Sequence, residues 1–130
     1  MEKQCTRCTL WYPLSGFPKK DKKRLHNLCC DCKNQRDRDT MRALRHEALE
    51  RYSNGSLSCA CCGEAHFEFL VIDHIHGGGN IHRAEVGHRA KGSKIYRWLK
   101  NSGYPEGFRV LCASCNHSLG LYGYCPHQKK

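Results

Sequence analysis

Apolar positions along this chain fall in short runs. Leu70-Val71-Ile72 is an apolar, largely β-branched run that delivers Asp73, His74, Ile75 and His76 to its end, and Gly77-Gly78-Gly79 then releases the backbone. Such a pattern predicts a short buried strand with polar residues at its rim. Phe108-Arg109-Val110-Leu111 predicts a second strand, entered through the turn residues Tyr104-Pro105-Glu106-Gly107. Between the two, Ile95, Tyr96, Trp98 and Leu99 predict a short helix closed by Asn101-Ser102-Gly103, and Asn116 to Tyr122 predicts another at the end. Trp98 reads as core rather than as a platform for stacking a base. Further upstream, Met41, Leu44, Ala48, Leu49 and Tyr52 recur mostly at three and four, which predicts a helix over 34–54 that Asn54-Gly55-Ser56 ends. Arg36, Arg38, Arg42, Arg45 and Arg51 occupy its other positions. In the first 33 residues Trp11, Tyr12, Leu14 and Phe17 are the main core material, with Pro13, Gly16 and Pro18 marking turns.

So little apolar material cannot hold a core unaided. The chain has 130 residues, of which 39% are apolar in a count that includes eleven cysteines, so metal or disulfide staples are expected. The cysteines recur as Cys-x-x-Cys: Cys5/Cys8 with Cys29/Cys32, and Cys59/Cys62 with Cys112/Cys115. That spacing, the odd total and a start (Met1-Glu2-Lys3-Gln4-Cys5) with no apolar signal core favour zinc-bound thiolates in a reducing, cytoplasmic setting. Two structural Zn²⁺ ions are expected. Cys30 and Cys61 are then spare; Cys30/Cys32 is a possible ligand pair with poorer spacing. Cys125-Pro126-His127 lacks a second pair and reads as a solvent-facing tail. No run approaches the roughly 18 apolar residues of a membrane span. The organisation expected is a four-cysteine module at 1–33, a basic linker helix at 34–56 and a second module at 57–130.

Charge points to a polyanion. The formal net charge is +10; eight thiolates and two Zn²⁺ would bring it to about +6, still basic. Lys19, Lys20, Lys22, Lys23 and Arg24 form a run inside the first module, and Arg38, Arg42 and Arg45 lie on the linker helix. With His82 and Arg83 of the Gly-rich loop these are the candidate phosphate contacts, and Arg89 and Lys91 lie in the same loop. A solvated charged face is the plain alternative for such runs.

The chemistry is carried by Asp73 and His74. Asp73 offers a hard oxygen to a divalent cation, and His74 is a base that titrates near neutral pH. All-cysteine zinc sites leave no position open for water, so a catalytic metal has to be separate and hard, Mg²⁺ or Mn²⁺.

Asp73-His74 between two ordered knuckles, with Asn116 directly after Cys115, resembles the HNH endonucleases of the ββα-metal fold, in their small phage or homing type. The resemblance covers residues 57–127; the first 33 residues match only as a zinc-ribbon-like framework. It implies a small, zinc-stabilised α+β chain. It also implies a catalytic Mg²⁺ or Mn²⁺ held by Asp73 and Asn116, and His74 as the base that deprotonates the attacking water. His76, two residues on, would orient phosphate, bind metal or cap the strand. Two departures stand out. Gly107 occupies the position where many HNH enzymes carry a bracing Asn, leaving Asn80 or Asn101 as substitutes, and Asn116 rather than His117 follows the fourth cysteine. For Asn116 the plain alternative is a helix N-cap. The expected function is metal-dependent hydrolysis of double-stranded DNA, one strand at a time, by a monomer acting in a bacterial or phage-infected cell. The alternative is a non-catalytic zinc-finger DNA-binding protein.

Overall fold

The computed structural model describes residues 1–76 and 93–128 and divides into two compact units, Met1–Arg42 and Ala43–Lys130. Gly77 to Gly79, Asn80, His82, Arg83, Arg89 and Lys91 lie outside the described residues.

In the first unit a two-stranded antiparallel sheet pairs β1 (Glu2–Gln4) with β2 (Trp11–Pro13), Lys3 opposite Tyr12. The Cys5–Cys8 knuckle is the turn that joins them. Cys5 N–H donates to Leu10 C=O (2.9 Å) and Thr9 N–H returns to Cys5 C=O (3.0 Å), with Thr9 at φ 64. Alternation on β2 sends Tyr12 inward and Trp11 outward, where it is 60% exposed; Leu14, in the 3-10 turn that follows the strand, is exposed as well. Neither supplies the core that the sequence suggests. The buried residues are Cys5, Phe17 and Cys29, packed by Cys8, Tyr12, Leu25, Leu28 and Cys32. Gly16 lets the chain turn close to Tyr12, where an added Cβ would stand 3.1 Å from the Tyr12 Cβ.

The long helix α1 runs Cys30–Tyr52, so it starts inside the first cysteine module, four residues before the predicted onset, and passes through the boundary between units. Its first half is held by pairs across one turn, including Lys33 Nζ to Asp37 Oδ2 at 2.6 Å. Its second half buries Leu44, Ala48 and Leu49. Asn54 (φ 53) and Gly55 (φ 84) end it in left-handed geometry, Gly55 N–H reaching Glu50 C=O at 2.9 Å.

In the second unit β3 (Leu70–His74) pairs antiparallel with β4 (Phe108–Cys112), which feeds directly into helix α3 (Ala113–Tyr122). Helix α2 (Ser93–Asn101) lies between the strands in sequence and buries Tyr96 and Leu99. Trp98 is half-buried and meets Phe108 edge-on, with ring centroids 6.3 Å apart, as a core residue should. Leu49, Leu70, Val110 and Leu111 form the apolar centre, together with Cys59, Cys112, Cys115 and Cys125. The described residues thus form a small α+β protein with three α-helices, two small sheets and cysteine clusters able to hold zinc. Among the described residues no helix is long and apolar enough to cross a membrane.

Candidate metal centres and the Asp73–His74 hairpin

Local geometry shapes each cysteine knuckle. Cys29 stands just before α1 and Cys32 one turn into it, and the ligand atoms of Cys5, Cys8, Cys29 and Cys32 lie within 4.8 Å of one another. This is the Cys29/Cys32 pairing; Cys30 is outside the group. Burial pushes the Cys5 thiol up, but the backbone N–H groups of Cys29, Cys8 and Arg7 outweigh it and hold Cys5 down at about 6. Cys32 is pushed up to about 12, chiefly by its hydrogen bond with Cys29 and then by burial. Four sulfurs this close together can surround a cation. The donor set, four soft thiolates, suits Zn²⁺.

The second group, Cys59, Cys62, Cys112 and Cys115, converges to the same 4.8 Å, with Cys62 Sγ and Cys112 Sγ 3.7 Å apart. A tetrahedron of sulfurs about 2.3 Å from zinc has edges of about 3.8 Å, so the donors fit that ion. Gly63 at φ 80 turns the first knuckle back, and Ala60 N–H to Val110 C=O (2.9 Å) fastens it to β4. Cys112 is the N-cap of α3, its sulfur accepting from Cys115 N–H at 3.5 Å. Asn116, one turn further in, is therefore not the cap.

A third group was missed by sequence reasoning. Cys61, Cys115, Cys125 and His127 also bring their donor atoms within 4.8 Å. Cys125 is 3% exposed and part of the core, whereas the sequence suggested a solvent-facing tail. The signal in the sequence was two spare cysteines and a histidine within one module. Burial, with Cys112, Cys125, Cys61 and Cys62 around it, drives the Cys115 thiol far up.

The hairpin bears Asp73 and His74, and its register separates the two residues. Asp73 stands opposite Arg109 and His74 opposite Phe108, on the two faces of the sheet. The Asp73 carboxylate accepts from Arg109 Nε at 2.8 Å. The His74 ring meets Phe108 edge-on at 4.9 Å between centroids. Ile75 N–H donates to Gly107 C=O (3.0 Å), which ties the residue after His74 to the entry of β4. Asn101 is exposed at the end of α2, and His76 is exposed in the turn after β3. Asn116 is half-buried on α3, which packs against β3 and β4.

The basic residues divide. Lys19, Lys20, Lys22, Lys23 and Arg24 are all exposed around a small hairpin closed by the Lys19–Leu25 bridge. Arg24 Nη2 is paired with Asp21 Oδ2 at 2.6 Å. Arg38 donates to Gln35 (2.8 Å) and stays exposed, as does Arg42. Arg45 is different: its Nη2 donates to the carbonyls of Leu70 (2.6 Å) and Phe67 (2.9 Å), and its guanidinium lies 4.6 Å from the Phe67 ring centroid. Its Nη2 is thus committed to the start of β3. No family model matches the chain, and no curated protein and no solved structure matches it.

Proposed function

We propose that the second unit is an HNH-type endonuclease module that hydrolyses phosphodiester bonds of double-stranded DNA, of phage or mobile-element origin. The observation that carries this reading is the order of parts: Asp73 and His74 close one strand of a hairpin whose other strand runs straight into the helix bearing Asn116. The four-cysteine group ties the base of that helix to the knuckle before β3. Zinc there would hold shape, since four thiolates leave no position for substrate.

The oxygens of Asp73 and Asn116 suit a hard cation. Mg²⁺ or Mn²⁺ bound there would stabilise charge on the scissile phosphate and the leaving oxygen. His74, on the other face from Asp73, is the last residue of β3, so a substrate seated across the strand's end would meet both residues and His74 would accept the proton of the attacking water there. Arg109, beside Asp73, holds that carboxylate in place. The exposed His76 is available to orient a phosphate oxygen. The lysines around the 19–25 hairpin and exposed Arg38 and Arg42 supply contacts that carry affinity without sequence preference.

The second reading is a zinc protein that binds DNA and does not cut it. It is favoured by the Asp73–Arg109 ion pair, which already satisfies the carboxylate that a metal would need. A supercoiled-plasmid assay with Mg²⁺ or Mn²⁺ separates the two. Relaxed or linear product is expected from the wild type, with a loss of about 100- to 10,000-fold in His74→Ala. Plasmid that is retarded on a gel yet stays supercoiled with every ion would leave only the binding protein.

A further inference from the structure

We infer that the second unit holds a binuclear zinc centre in which the Cys115 thiolate bridges two ions. One ion is held by Cys59, Cys62, Cys112 and Cys115, the other by Cys61, Cys115, Cys125 and His127 Nδ1. Cys115 is the one residue common to both groups. Two tetrahedral ions have eight ligand positions, and this unit converges seven donors on them. Seven donors fill eight positions only if one serves twice, and a thiolate has the lone pairs to do so.

The contacts at the second group are those of a coordination shell. His127 Nδ1 lies 3.2 Å from Cys115 Sγ and 3.2 Å from Cys125 Sγ. A ring nitrogen offers either one proton or one lone pair, so it cannot serve two sulfurs equally by hydrogen bonding. Around a zinc with bonds of about 2.3 Å to sulfur and 2.0 Å to nitrogen, a sulfur–nitrogen edge is about 3.5 Å, close to both distances. The terminal segment is also fastened to the knuckle that supplies the other ligand. Gln128 Nε2 donates to Cys61 C=O (3.1 Å) and to Cys61 Sγ (3.3 Å). A thiol sulfur is a weak acceptor, whereas a metal-bound thiolate normally takes such an N–H from its surroundings. Burial of Cys125 and Cys115 excludes water from the shared sulfur.

On binding, Cys61 and Cys125 each give a proton to solvent, and His127 coordinates as the neutral ring with its proton on Nε2. Six thiolates and two Zn²⁺ leave the centre at −2. With the first unit's site, ten of the eleven cysteines become ligands and Cys30 alone remains. This inference is independent of the nuclease reading, because it concerns a structural centre.

Native mass measurement on the full chain, purified without added metal, is expected to give three zinc ions. His127→Ala and Cys125→Ser should each give two, with the fold kept by circular dichroism. Reconstitution with NMR-active cadmium should show two of the three metal signals split by each other through the shared sulfur. Two zinc ions in the wild type would overturn the inference, as would three zinc ions whose cadmium counterparts show no mutual splitting. If the single substitutions unfold the chain, the wild-type stoichiometry and splitting still decide the matter.

Discussion

Arg109 and Asp73 face each other across the β3–β4 hairpin, the Arg109 Nε–H donating to Asp73 Oδ2 at 2.8 Å. A guanidinium in that position competes with a hard cation for the same carboxylate. Arg109→Gln should therefore lower the Mn²⁺ concentration that half-saturates the site by about two- to fivefold, the factor that a pair worth about 1 kcal/mol carries. Mn²⁺ titration followed by electron paramagnetic resonance reads this without requiring cleavage. Unchanged Mn²⁺ binding in both Arg109→Gln and Asp73→Asn would remove Asp73 from the metal site.

Arg45 and the lysines of the first unit should respond in opposite ways to substitution. Arg45→Ala strips the donor from the carbonyls of Phe67 and Leu70 and should destabilise the second unit by about 2–3 kcal/mol in urea unfolding. It should leave the salt dependence of DNA binding unchanged. Replacing Lys19, Lys20, Lys22 and Lys23 together by Gln should leave stability nearly unchanged and flatten the salt slope of binding by about three. A salt slope insensitive to the four lysines would show that this hairpin does not meet the backbone.

Removal of zinc should unfold each unit, since neither core is large enough alone. Phe17 is the one large buried side chain among the core residues of the first unit, with two cysteines beside it. Structural zinc typically supplies about 10 kcal/mol or more to such sites. Treatment with a mercurial reagent that displaces zinc from thiolates should collapse the far-ultraviolet dichroism, and excess thiol with zinc should restore it. Secondary structure that persists in zinc-free, reduced protein would contradict a structural role.

Tyr104 predicts a response to alkali. Its hydroxyl is buried, and burial, followed by its hydrogen-bonding contact with the Glu47 carboxylate, pushes its ionisation up to about 12. The unfolded chain loses that proton near 10.0. The tyrosine's contribution is thus fully present below pH 10 and is lost as pH rises toward 12. Urea midpoints of the wild type should fall between pH 9.5 and 11 more steeply than those of Tyr104→Phe. At neutral pH Tyr104→Phe should change stability by no more than about 1 kcal/mol, because the contact it removes is with the half-exposed Glu47 carboxylate.

Much of this protein follows from its amino acids alone. The β-branched run at Leu70, the alternation at Phe108 and the spacing from Leu44 to Leu49 determine two strands and a helix, because hydrophobic period and turn residues act locally. The Cys-x-x-Cys pairs likewise determine which sulfurs meet, since a knuckle is a closed turn of four residues. Local pattern could not say that Trp11 faces water, that Arg45 turns inward to three residues' backbone, or that Asp73 pairs with Arg109. Each of those depends on a strand or helix distant in sequence, whose position only packing sets. The same holds for Cys61, Cys125 and His127: 63 residues lie between Cys61 and Cys125, and a donor set without a spacing rule becomes visible only when the folded chain brings its members to one sulfur, Cys115.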